Sequence, residues 1–450
     1  MKIFKYEAVH KNILKLALPA IAGSITQMIV SLVDAAMVGR LDNAEYYLAA
    51  MGLGVLATWA LVSFFSSLAT GTHVVIARRF GAEDYPNCGN ALNTSLVISV
   101  LIGIVVSFFG VVFAFQMAHF FAVDNQVGQY AGEYLYFRFM GIPFFLLTVS
   151  YRGFFFGIGK THIFMYSAII ANFMNIIFNY IFIYGMFGIP GMGLAGAGVG
   201  STIATFFDFM FYFVISLQPI YRKRYQLFSH FRFVKEYAIS IIRISLPVSL
   251  QNIFILIGFL SFIAITGHIG TVEQAASNIV FSSLLISIMP CFGFGIAVQT
   301  LVGNALGKGD IKQAKMLGLE TSKLATIYTF IAGLIFTIFP RYVLWLLTND
   351  QNVIETAVPA MRIAGAGQVF YSVGVVLANG LQAAGRTVYV MVAESILNWF
   401  VFVPIAYLLG VVLDFGIIGA WSALPFYVVL YSAIIFIKYY YGDWTTFKKV

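Results

Sequence analysis

Long apolar runs separated by short polar connections organise the chain. At more than about 20 residues each, they predict membrane-spanning helices rather than the alternating ten-residue segments of an outer-membrane barrel. Twelve spans are predicted, over roughly 12–38, 46–76, 92–120, 127–150, 161–185, 194–217, 237–266, 274–304, 319–347, 354–382, 388–413 and 416–440. Within the first, LALPAIAGSITQMIVSLVDAAMVGRL from Leu16 to Leu41, stands one carboxylate, Asp34. Ser24, Gln27, Ser31 and Asp34 fall at helical spacing and make one polar stripe on a helix that is otherwise Ile, Leu, Val, Ala and Met. A charge facing lipid is costly, so an acid at this depth is expected to face a bundle interior or a wet cavity and to mark an ion, proton or substrate path. Lys15 lies 19 residues, about 28 Å of helix, below Asp34, while Arg40 lies only about 9 Å above it, which sets the acid nearer one membrane face.

The pattern repeats. Lys15, Leu18-Pro19 and Gly39 recur as Arg243, Leu246-Pro247 and Gly267 at an offset of 228, and Gly159-Lys160-Thr161 recurs as Gly385-Arg386-Thr387 at 226. Arg138 meets Arg362 at 224. Six spans per half make both halves enter the membrane in the same sense. The expected fold is therefore an all-α polytopic membrane protein: twelve transmembrane helices in two six-helix lobes related by a pseudo-twofold axis along the membrane normal, with the ligand path in a central cleft. By chain order the first lobe is 1–217, a cytoplasmic linker 218–236 and the second lobe 237–450.

Composition agrees: 60% of residues are hydrophobic and 10% charged, with a mean hydropathy of +0.90, whereas soluble domains are about a quarter charged. The net charge of +8 is read as topology and not as a nucleic-acid surface. Of the 26 Lys and Arg, 22 fall at the termini and the even-to-odd connections, and Arg40 and Arg341 fall on the other side. Both termini and the linker are thus expected in the cytoplasm of a plasma membrane, Asp34 on the outward side of the midplane, and the first span uncleaved. Cys88, placed in a loop, and Cys291, in an apolar run, suggest no disulfide, and the six His show no metal-ligand spacing. No GxxxxGK[ST] phosphate loop occurs, so no ATP site and no cofactor are expected.

The fifth span, YSAIIANFMNIIFNYIFIYG, carries Asn172, Asn175 and Asn179 on one face, and Asn179 stands 19 residues from Lys160, matching the depth of Asp34. The small residues of GMGLAGAGVGSTIATF at the start of the sixth span permit close helix contact, and Thr202 and Thr205 add hydroxyls. Projected through the repeat, Asp34, Asn175, Asn179 and Thr205 fall on Phe262, Val401, Ile405 and Val428. A polar network required by the architecture should appear in both halves; this one is expected in the first alone, as a functional site.

With Pro19, VDAAMVG at 33–39, LAAMG at 48–52, and NIIFNYIFIYG followed by GLAGAGVGSTIAT, the whole chain resembles the multidrug and toxic compound extrusion family. The resemblance implies a two-lobed secondary transporter that exports amphipathic, often cationic compounds by antiport with protons or sodium, alternating access between its lobes, and the protein is expected to be a monomer. It implies a coupling site of Asp34, Asn175, Asn179 and Thr205, with Asp34, Asn175 and Asn179 as metal ligands if the ion is sodium. Asn179 is Asn where many relatives have Asp, and the acids some relatives carry in spans seven and ten fall on Ile255 and Tyr371. Gln27, Ser31 and Asn172 are candidates for the substrate cavity, and Pro19 for a hinge. Asp208 and Glu394, also inside spans, are secondary candidates; Arg138 is expected to pair with Glu133. The alternatives are a lipid or glycolipid flippase of related architecture and an intramembrane transferase. A transferase would need a cluster of acids or His near one interface, which the chain does not offer.

Overall fold

The structure is a computed structural model that describes residues 2–229 and 232–444, with side chains from Glu7 onward. Lys2, Lys5, Lys448 and Lys449, on which part of the topological reading rests, and residues 230 and 231 of the basic linker lie outside the described side chains. The described residues form helices and connections without a strand. In chain order the helices are α1 (Lys2–Val38), α2 (Ala44–Gly81), α3 (Tyr85–Phe121), α4 (Asn125–Met140), α5 (Ile142–Gly157), α6 (Thr161–Tyr184), α7 (Leu194–Leu217) and the short α8 (Pro219–Arg222). The second half continues with α9 (Lys235–Ile269), α10 (Thr271–Gly307), α11 (Ile311–Ile338), the short α12 (Pro340–Trp345), α13 (Gln351–Ala383), α14 (Thr387–Leu397), α15 (Val403–Tyr407) and α16 (Gly416–Tyr441).

Among the described residues eleven stretches are long and apolar enough to cross a membrane, and α4 with α5, bent by 49°, makes a twelfth when taken as one span. The break has a local cause. Pro143 lacks the N–H that would bond the carbonyl of Phe139, and its ring crowds the same turn, so the run expected as one span over 127–150 divides at Gly141. The eleventh span is also irregular: π-helical turns at Asn398–Phe402 and Leu408–Val412 flank α15. Both Gly159 and Gly385, at matching places in the repeat, take positive φ (72° and 77°), which fixes glycine in both turns. Cys88 is not in a loop: Pro86 opens α3 just before it, and the thiol is buried in the first turn.

Packing partitions the chain differently from chain order. Among the described residues one compact unit comprises 2–21 with 247–444, the other 22–229 with 232–246. The start of α1 belongs with the second half because Ile13, Leu16 and Ala17 join its core, and Gly293 of α10 lets the Ala17 carbonyl and Ile21 approach to where a Cβ would sit. The start of α9 belongs with the first half for the same reason. Tyr237, Ile241 and Ile244 join that core, and Gly71 of α2 lies against Ser245 and the Ile241 carbonyl. The changeover falls two residues past Pro19 in α1 and immediately before Pro247 in α9.

Candidate functional site

Asp34 stands on α1 within the unit of residues 22–246, half-buried against α6. The Asn179 amide donates to Asp34 Oδ1 at 2.8 Å and to Asn175 Oδ1 at 3.1 Å, and the Asn175 amide donates to the Ser201 hydroxyl at 3.0 Å. Gly200 makes this possible. A Cβ there would lie 2.2 Å from Asn179 Oδ1 and 2.7 Å from the Asn179 backbone nitrogen, so α7 reaches α6 only because position 200 has no side chain. The Tyr184 hydroxyl, donating to the Met37 carbonyl at 2.7 Å, ties the end of α1 to the same helix.

One feature suits a cation and one opposes it. Asn179 Oδ1 is buried without a hydrogen-bond partner, an acceptor left open beside a carboxylate. Arg138 of α4 bonds Tyr134, and its charge acts on Asp34. The expected Arg138–Glu133 pair is not made among the described residues, and Glu133 accepts instead from Gln129 at 2.9 Å. Five residues carry a helix about 140° past its starting face, so the two side chains diverge. Sequence reasoning thus named Arg138 but not its place near Asp34, and missed Tyr134 and Ser201.

Other candidates stand apart from this network. Thr205 donates to the Ser201 carbonyl of its own helix at 2.8 Å, and Ser31 likewise to the Gln27 carbonyl at 3.2 Å. Gln27 and Ser31 are exposed, while Asn172 is half-buried with its amide nitrogen unpartnered. Asp208 is buried on α7, where Arg152 donates to it at 2.9 Å and Ser167 adds a second bond. Glu394, in the other unit, accepts from Tyr427 and Tyr431. Phe262, the repeat counterpart of Asp34, is 2% exposed, stacked on Phe402 at 5.0 Å and edge-on to Trp421 at 5.1 Å. One unit therefore places oxygens where the other places rings. Among the described residues no three His, Cys, Asp or Glu gather, so any bound cation here would rely on one carboxylate and neutral oxygens.

The MatE family model matches residues 19–181 and again 247–408, once in each half of the repeat. The chain belongs to the MatE family. The probable multidrug resistance protein NorM of Thermotoga maritima is 24% identical over 438 residues, covering 97% of this chain and 93% of that protein. The probable multidrug resistance protein YoeA of Bacillus subtilis is 24% identical over 429 residues, covering 95% and 92%. A crystal structure of MATE in the straight conformation superposes with a TM-score of 0.88 at 20% identity over 96% of this chain and 95% of that one, which establishes a common fold. This MatE protein is accordingly an integral membrane transporter and not an enzyme, which sets the transferase alternative aside.

Proposed function

We propose that this MatE protein is a secondary active multidrug exporter of the plasma membrane, with both termini in the cytoplasm. It exchanges protons or sodium for small amphipathic, often cationic compounds, and works as a monomer by alternating access of its two halves. The names of its relatives, probable multidrug resistance proteins, support export of small compounds. The observation that carries the coupling reading is the bond from Asn179 to Asp34, which puts a lone carboxylate inside a membrane helix beside an open amide oxygen. Intramembrane acids of this kind mark ion pathways by default. Proton and drug can compete for the one negative charge of Asp34. Sodium, a hard cation, would use the same carboxylate with the amide oxygens of Asn175 and Asn179. Thr205, Gln27, Ser31 and Asn172 are assigned to the surroundings of this path, and Pro19 to a hinge.

The test is dye uptake into inside-out vesicles under separately imposed gradients. Uptake should follow a proton or a sodium gradient and stop when both are collapsed. Uptake that persists without either gradient, or that needs ATP, would overturn the reading.

A further inference from the structure

The two halves treat a buried acid in opposite ways. In the first, Asp208 is matched by Arg152, whose guanidinium also lies 5.1 Å from the centre of the Phe164 ring. Through the repeat, Arg152 corresponds to Ala378 at an offset of 226, and Asp208 to Tyr431 at 223. The second half carries its acid on the neighbouring span instead: Glu394 of α14, 4% exposed, occupies the place of Ala168. Tyr427 and Tyr431 of α16 donate to it, and no Lys, Arg or His forms an ion pair with it among the described residues.

The second half has space beside its acid. A cavity of about 130 Å³ lies beside Glu394, walled by the rings of Phe259, Phe262, Phe281, Phe402 and Trp421. Two residues of its wall each carry a buried polar atom without a partner, Asn398 Oδ1, which packs against Gly258, and Gln368 Nε2; the residues are 5% and 3% exposed. Asn398 and Phe402 bound a π-helical turn, a distortion that recurs at functional sites. A carboxylate buried without a counter-charge is costly, and ring faces attract cations. The volume limits the choice. A cavity on the order of 150 Å³ holds one benzene-sized guest, so a cation here must enter without a hydration shell and with its charge already covered by methyl groups.

We propose that this cavity binds a compact organic cation, an alkylammonium group about the size of tetramethylammonium, with Glu394 as its counter-charge and the rings as its cage. The proposal rests on the export reading only for the substrate class, and the site is separate from Asp34.

The test is equilibrium binding of radiolabelled tetramethylammonium to the full chain in nanodiscs, with no gradient imposed. Saturable binding is expected, at least tenfold weaker in Glu394→Gln, and displaced by choline but not by its neutral isostere 3,3-dimethyl-1-butanol or by the oversized tetrapropylammonium. Phe259→Leu, which keeps apolar volume but removes a ring, should weaken binding several-fold and guards against a folding defect in the Gln variant. Arg341→Met, which alters only an exposed pair, should bind as the parent does. Absence of binding, or equal binding by the parent and Glu394→Gln, would overturn the proposal. Failure of gradient-driven uptake in vesicles with this binding intact would instead count against the export reading.

Discussion

Asp34→Asn should reduce gradient-driven export to the background of empty vesicles while leaving insertion, yield and thermal unfolding unchanged. The side chain keeps its shape, and an amide oxygen at position 34 can still accept the bond that Asn179 donates at 2.8 Å. What disappears is the charge, and with it the only ionisable carboxyl in the Asp34–Asn179–Asn175–Ser201 network. The comparison must be made per folded molecule, with thermal unfolding as the control for an intact protein. Full ion-coupled efflux by the Asn variant would remove Asp34 from the mechanism. So would a coupling loss that follows Asp208→Asn or Glu394→Gln but not Asp34→Asn.

Arg152→Met should be the most destabilising single change of a charged residue in the first half. Arg152 and Asp208 have side chains 18% and 7% exposed, and removing one partner of a buried pair leaves the other's charge uncompensated, a cost of about 3–5 kcal/mol. Arg341→Met gives the contrast. Its pair with Glu355 is similarly short at 2.8 Å, but the side chains are 67% and 53% exposed, and such pairs are worth about 0–1 kcal/mol. Thermal unfolding of the detergent-solubilised protein reads both, and Arg152→Met/Asp208→Asn should recover much of the loss. Equal melting of the two single variants would show that Asp208 does not depend on Arg152.

Much of this was legible in the sequence. Apolar run length gave the spans, the Leu-Pro and Gly-Lys/Arg-Thr offsets gave the repeat, and equal distances from Lys15 and Lys160 brought Asp34 and Asn179 to one depth, where they touch. Helical periodicity assigns a residue to a face but does not say how that face is rotated against its neighbours. Thr205 and Ser31 therefore satisfy their hydroxyls on their own helices, and Gln27 is exposed. The packing partition was also hidden, since no local pattern announces that the first turns of α1 and α9 join the cores of the opposite halves. Nor does a sequence reveal empty space. The cavity beside Glu394 arises from rings on several separate helices and a π-helical turn, and each of those rings, read alone, is ordinary lipid-facing or core material.

The bare backbone at Gly200 has a consequence for genetics. A methyl group there would collide with the Asn179 amide and with the backbone of α6 behind it, so even alanine must push the two helices apart and draw Asn179 from Asp34. In a saturation-mutagenesis map scored by drug tolerance, position 200 should therefore be as unforgiving as position 34, although it contributes no chemistry of its own.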